Sequence, residues 1–171
     1  WGCMTGVRPT KIVNVLKKRG MDNEAVFKHF KEFYLMRDDK AILAIKTSDV
    51  QKPFLEEQIA HPENIGFYIG IPFCPTRCLY CSFTSNSITK YKKSLDLYLD
   101  LLEREIKESL AIANLAGYKI ESVYLGGGTP TSFDEARFER YMKIVTDNID
   151  ISSLKEFALE AGRPDSITMG K

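Results

Sequence analysis

Cysteine is scarce in this chain, four in 171 residues, and histidine is scarcer still at two. Three of the four cysteines nevertheless crowd into Cys74-Pro-Thr-Arg-Cys-Leu-Tyr-Cys81. An odd local number cannot pair off into disulfides, and so few cysteines exclude a secreted disulfide framework. Such usage predicts a reducing compartment, by default the cytosol, and a metal or redox role. Excess charge is also lacking. A formal net charge of +1 gives no long-range pull toward nucleic acid or an anionic membrane. Long apolar runs are missing too: the uncharged stretch Ile65–Thr76 is too short to span a bilayer and carries glycine and two prolines. The chain does not open on a basic-then-apolar leader, and it contains no internal repeat or low-complexity tract. It opens on Trp1, which implies a piece of a longer protein whose natural start lies upstream.

What is present is globular composition, 44% hydrophobic and 27% charged. Residues 1–60 read as a helical region. Arg8-Pro9-Thr10-Lys11 begins a run with Ile12, Val15 and Leu16 on one face, stopped by Gly20. A second run, about Glu24–Leu35, places Val26, Phe27, Phe30, Phe33 and Tyr34 at helical spacing. A third, about Asp38–Val50, carries Ile42, Leu43 and Ile45. Pro53 is expected to end regular structure, with Glu57–Asn64 as a linker. Residues 61–171 follow another pattern. Apolar, β-rich strands are expected at about 66–71, 120–125 and 156–161. A long helix of roughly Lys90–Ala116 joins the first two, buried through Leu95, Leu99, Leu102, Ile106, Leu110 and Ala113, with Gly117 at its C′ position. Ser132 and Glu135 read as a capping box for a helix to about Asn148, buried through Ala136, Phe138, Met142 and Val145. Strands alternating with helices predict an α/β fold with a parallel sheet. Three strands cannot close a barrel, and an open sheet keeps a bare edge.

Cys74, Cys78 and Cys81 lie in the loop leaving the first strand, the end at which parallel α/β folds collect their chemistry. A structural zinc site wants a fourth ligand, and only His29, His61 and Cys3 remain to supply it. A four-iron cubane on three cysteines needs none and leaves one iron open. Spacing alone leaves both open. At the end of the second strand stands Leu125-Gly-Gly-Gly-Thr-Pro130. Its glycines let a backbone approach a ligand closely. It is neither a P-loop nor a dinucleotide fingerprint.

Cys-x3-Cys-x2-Cys with Tyr80 before the last cysteine, followed one strand later by Gly-Gly-Gly-Thr-Pro, resembles the radical S-adenosylmethionine superfamily. Tyr68-Ile-Gly-Ile-Pro-Phe-Cys74 and Tyr124-Leu-Gly-Gly-Gly-Thr-Pro-Thr131 resemble its oxygen-independent coproporphyrinogen III oxidase family. Trp1–Lys11 and Glu160-Ala-Gly-Arg-Pro-Asp165 are similar to the Z-type branch of that family. The resemblance implies the first half, about three βα units, of a partial (β/α)6 TIM-like barrel preceded by a small helical region. It further implies a [4Fe–4S] cluster on Cys74, Cys78 and Cys81, with S-adenosylmethionine on the fourth iron. By matched position Tyr68, Tyr80, Gly126, Gly127, Gly128, Thr129 and Glu160 contact that cofactor. The implied activity is a radical oxidoreductase of haem biosynthesis. A 5′-deoxyadenosyl radical takes hydrogen from propionates of coproporphyrinogen III, which become the vinyl groups of protoporphyrinogen IX. Its implied partners are a tetrapyrrole substrate and a low-potential electron donor of flavodoxin or ferredoxin type. Residues 1–171 alone are expected to be inactive.

Two positions depart from the oxidases proper: Phe83 stands where they carry a further cysteine, and Gly70 where their strand has histidine. A haem chaperone without decarboxylase activity is the alternative, and a structural zinc module the alternative of another class. Of the remaining residues, Arg8 and Lys11 read as surface charges at a helix start, and Arg77 as a solvated loop residue. Arg163 stands undecided between a solvated loop and the cluster's charge. Cys3 reads as small and buried, and the two histidines have no catalytic role.

Overall fold

The structure, a computed structural model, describes residues 1–4 and 8–171. Thr5, Gly6 and Val7, within the opening motif, lie outside the described residues. The chain divides into two compact units, Trp1–Pro62 and Glu63–Lys171.

The first unit is three helices, α1 (Pro9–Lys18), α2 (Asn23–Glu32) and α3 (Asp38–Ala60). Pro9 sits in the first turn of α1, where its missing N–H costs nothing. The Asp22 side chain caps α2 by accepting from the Ala25 N–H. Leu35, in the left-handed conformation at φ 52°, turns the chain after α2. The small core holds Val13, Leu16, Val26, Phe30, Met36, Ala41, Ala44 and Ile45. Val13 rather than Val15 faces inward from α1, and Ala41, Ala44 and Ile45 rather than Ile42 and Leu43 from α3. Pro53 does not end the third helix: α3 continues through it to Ala60. A proline removes one backbone bond and strains the preceding turn, but Leu55, Glu56, Glu57, Gln58 and Ala60 beyond it are strong helix formers. The expected linker at Glu57–Asn64 is therefore helix at one end and strand at the other. Cys3 is exposed, not buried, and its thiol points at the Tyr34 carbonyl at 3.3 Å.

The second unit is α/β. Strands β1 (Asn64–Ile71), β4 (Lys119–Gly127) and β5 (Glu156–Leu159) form one parallel sheet in the order β1-β4-β5. Two-residue strands β2 (Phe73–Cys74) and β3 (Asn86–Ser87) pair separately, also in parallel. Helix α4 (Leu95–Leu115) crosses from β1 to β4, and α5 (Glu135–Asn148) from β4 to β5. The α4 stripe is as its spacing predicts: Leu95, Leu99, Leu102, Ile106 and Ala113 are buried, Leu110 packs at the margin, and Gly117 takes φ 80° at the end. Each such leucine contributes about 1.5–3 kcal/mol.

From α5 the core receives Phe138, Tyr141, Ile144 and Val145. Met142 is only partly buried and Ala136 is exposed. The helix is capped by Asp134, whose carboxylate accepts from the Arg137 N–H at 2.9 Å, and not by Ser132. Ser132 lies in a 3-10 turn before the helix, its hydroxyl donating to the Phe73 carbonyl. Alternation along the strands sends Ile69, Ile71, Val123 and Leu125 into the core under the helices. It leaves Tyr68, Gly70, Tyr124 and Gly126, which the register sets side by side, on the opposite face. No helix among the described residues is long and apolar enough to cross a membrane.

Candidate active site at the strand ends

The cysteine loop is closed at its base by the β2–β3 pair, which sets Phe73 beside Asn86 and Cys74 beside Ser87. Between them the chain curls: the Cys81 N–H donates to the Cys78 carbonyl at 3.1 Å. The Arg77 guanidinium is exposed, as a loop residue in solvent should be, and donates to the Cys81 carbonyl at 3.2 Å. All three thiols are free, Cys74 buried and Cys78 and Cys81 half-buried.

The glycine loop is threaded against this structure. The Gly128 N–H donates to the Ile71 carbonyl at 2.7 Å and the Thr129 N–H to the Phe73 carbonyl at 2.8 Å. Gly127 takes φ 115°, and a Cβ on it would stand 2.6 Å from the Ile71 carbonyl oxygen. A Cβ on Gly128 would stand 2.8 Å from Cys74 Sγ. The glycines are thus required twice, by a left-handed turn and by the approach of one backbone to the Cys74 sulfur. Buried Thr129 completes the contact, its hydroxyl donating to Cys74 Sγ at 3.4 Å. Gly126 lies beneath an aromatic pair: Tyr68 and Tyr124 stack at 5.8 Å and 13°, and a Cβ on Gly126 would meet both rings.

A cavity of about 430 Å³ opens where these pieces meet, lined by Tyr68, Gly70, Ile71, Pro72, Phe83, Thr84, Gly127, Gly128 and Glu160. Four of the residues predicted for the cofactor, Tyr68, Gly127, Gly128 and Glu160, therefore share one hollow. Gly126 and Thr129 are not in its wall. Tyr80 is 90% exposed and is not in its wall. Glu160 is placed one residue beyond the strand, because β5 ends at Leu159 and not at 161. Its N–H still donates to the Leu125 carbonyl, and its carboxylate, exposed rather than buried, accepts from the Tyr124 hydroxyl at 2.8 Å. That bond to the carboxylate, helped by burial, raises the Tyr124 phenol above its ordinary range. Tyr124 was not among the predicted site residues. Period-two counting back from Gly126 places it on the same face.

Tyr98 on α4 donates to the Gly70 carbonyl at 2.8 Å. Strand β1 is at the sheet's edge in this order, and the bond occupies a carbonyl that pairing leaves unused. Burial, with Glu105 nearby, pushes the Tyr98 phenol up to about 12.

Arg163 is the second residue that sequence reasoning left without a role. Its guanidinium donates to the Thr76 carbonyl at 2.9 Å and to the Thr76 hydroxyl at 3.1 Å, between the first two cysteines. Its other edge donates to both oxygens of Asp165, at 3.0 and 2.6 Å. The Asp165 bond, with the neighbouring Cys78 and Cys74 adding to it, raises the Arg163 pKa, and Asp165 is lowered in turn.

Three free thiols stand at one strand mouth, with a hydroxyl donor to Cys74 Sγ and a glycine backbone against that sulfur. Thiolates are the donors that hold iron–sulfur clusters, and three of them leave one iron of a four-iron cubane open. Among the described residues, no three His, Cys, Asp or Glu side chains are placed to hold a single metal ion.

Residues 68–164, more than half of the chain, match the Radical SAM superfamily. The chain belongs to that superfamily. It is 34% identical, over 100% of its own length and 34% of the relative's, to the oxygen-independent coproporphyrinogen-III oxidase-like protein HemZ of Bacillus subtilis. It is 32% identical to the oxygen-independent coproporphyrinogen III oxidase of Mannheimia haemolytica, covering 63% of this chain and 72% of that one. Its place within the superfamily is thus the oxygen-independent coproporphyrinogen III oxidase family. The heme chaperone HemW of B. subtilis is 37% identical over 61% of this chain and 26% of its own. Among solved structures, coproporphyrinogen III oxidase (HemN) from Escherichia coli aligns with TM-score 0.46 and 30% identity, over 63% of this chain and 24% of that one. The chain spans about a third of the HemZ relative's length.

Proposed function

We propose that these residues form the cluster- and cofactor-binding part of a radical S-adenosylmethionine oxidoreductase that converts propionates of coproporphyrinogen III to vinyl groups. The observation that carries the reading is the shared hollow: Tyr68, Gly127, Gly128 and Glu160 line one cavity beside the three-cysteine loop. Cys74, Cys78 and Cys81 would hold a [4Fe–4S] cluster, and S-adenosylmethionine would lie along the glycines. When bound, this pair supplies a 5′-deoxyadenosyl radical. The chain's own contributions are orientation and exclusion of water. Glu160, held by Tyr124, offers a carboxylate to a cationic group. Gly126–Gly128 present backbone without side chains, and Thr129 donates to Cys74. Tyr80, exposed at the loop tip, offers its backbone to the adenine. The reaction would draw electrons from a flavodoxin- or ferredoxin-type donor in the cytoplasm.

A haem chaperone is the second reading, favoured by Phe83. This apolar side chain, 77% exposed, stands in the cavity wall where the oxidases carry cysteine. Anaerobic reconstitution of the longer protein that contains these residues with iron and sulfide, followed by reduction with S-adenosylmethionine and coproporphyrinogen III, separates the two. Vinyl product together with 5′-deoxyadenosine is expected. 5′-Deoxyadenosine without vinyl product overturns the oxidase reading, and tight haem binding then supports the chaperone. Uptake of zinc in place of iron and sulfide overturns both.

A further inference from the structure

We infer that Arg163 is a positioning residue for the three-cysteine loop and that its charge raises the reduction potential of the cluster held there. The inference rests on the cluster reading above. Five N–H groups leave a guanidinium, and here each has an acceptor. Nε and one Nη2 hydrogen go to Asp165, the other Nη2 hydrogen to the Thr76 hydroxyl, and Nη1 to the Thr76 carbonyl and toward Cys78 Sγ at 4.0 Å. The forked contact with Asp165 fixes the plane of the head. The Thr76 bonds then tie down the loop midway between Cys74 and Cys78 from a residue 87 positions away.

The same geometry has an electrostatic result. Three ligating thiolates are negative, and accepting an electron makes the site more so. A fixed cation 4.0 Å from one of those sulfurs stabilises the reduced state over the oxidised one. Of the neighbouring arginines, Arg77 spends its described bond on the Cys81 carbonyl, whereas Arg163 points at the sulfur itself. Residues around ligating sulfurs set potentials in this way. Arg163 comes from the segment after β5, so the bonds to Thr76 join the cysteine loop to the far side of the third strand.

R163Q and R163K in the anaerobically reconstituted protein test this, read by iron and sulfide content and by potentiometric titration of the cluster's reduced-state EPR signal. R163Q is expected to disfavour reduction about tenfold, about 59 mV to the negative for one electron. R163K, which keeps the charge without the fork, is expected to stay within about threefold of the unsubstituted protein. An unchanged potential in R163Q overturns the inference. If R163Q takes up no cluster, R163K decides: a potential near the unsubstituted value supports the inference, and a tenfold loss of reduction overturns it. Failure of the unsubstituted protein to take up iron and sulfide instead overturns the cluster reading, and this inference with it.

Discussion

Tyr124 and Glu160 meet across the sheet, the tyrosine hydroxyl donating to the carboxylate at 2.8 Å. Tyr124 lies on β4 and Glu160 one residue past the end of the neighbouring parallel β5, 36 residues apart in the chain. Tyr124 is itself stacked on Tyr68, so the carboxylate is aimed by a ring that cannot easily turn.

Under the proposed role of Glu160 at the cofactor, removing that hydroxyl should loosen the carboxylate without removing it. Y124F is expected to weaken S-adenosylmethionine binding to the reconstituted protein roughly fivefold, the loss of one hydrogen bond to a charged acceptor. E160Q keeps a group that accepts from Tyr124 but lacks the charge, and should weaken binding more. Equilibrium binding measures both. Equal, unchanged affinities would mean that Glu160 does not face the cofactor.

The glycine loop gives a packing prediction. In Gly128→Ala the new Cβ would stand 2.7 Å from the Phe73 carbonyl oxygen and 2.8 Å from Cys74 Sγ. Neither neighbour is a flexible side-chain end, so the strain should cost about 1–3 kcal/mol. Chemical denaturation should show that loss, and iron uptake should fall with it because Cys74, a proposed ligand, is displaced. Gly162→Ala, where nothing lies within 4 Å, is the control and should leave both unchanged.

The division between what could be read from the chain and what could not follows the range of each interaction. The cysteine spacing and the α4 stripe are local, and local patterns carry them: Leu95, Leu99, Leu102 and Ile106 are all buried. Strand alternation likewise separates Ile69 and Leu125 from Tyr68 and Tyr124. The small helical unit is harder. One position of helix is a turn of 100°, so Val13 and Val15, two positions apart, stand on nearly opposite sides of α1; Ile12 and Leu16 keep the predicted face and Val13 joins it in place of Val15. At Pro53 the local signals conflict: the proline argues for a stop, and the helix formers between Leu55 and Ala60 carry α3 through it. Arg163 and Tyr124 could not be assigned because their partners, Thr76 and Glu160, are brought to them only by the sheet.

Acid should act on the surface between α4 and α5. Arg137 donates through Nε and Nη2 to both oxygens of Asp96, at 2.9 and 2.7 Å. That hydrogen bond holds the Asp96 carboxyl below its ordinary value of 3.8. A carboxyl lowered by folding contributes stability above its unfolded pKa and loses it as pH falls through the folded one. D96N should therefore lower the melting temperature at pH 7, and the difference should shrink as pH falls through the lowered Asp96 pKa. A difference that persisted undiminished into acid would exclude the ion pair as its source.

The last prediction concerns a hydroxyl in the wrong place. Tyr141 is fully buried between Phe133 and Phe138, and among the described residues its oxygen has no hydrogen-bond partner. Burial raises its phenol far above the ordinary range, so the group stays neutral at every pH the fold survives. A buried hydroxyl without a partner loses its bonds to water and regains none. Y141F keeps the ring and its aromatic contacts while deleting the unsatisfied atom. The variant should be more stable by about 1 kcal/mol, seen as a higher denaturation midpoint with an unchanged slope. Destabilisation of that size would mean that the hydroxyl has a partner after all, an ordered water between helix and sheet being the one that fits such a site.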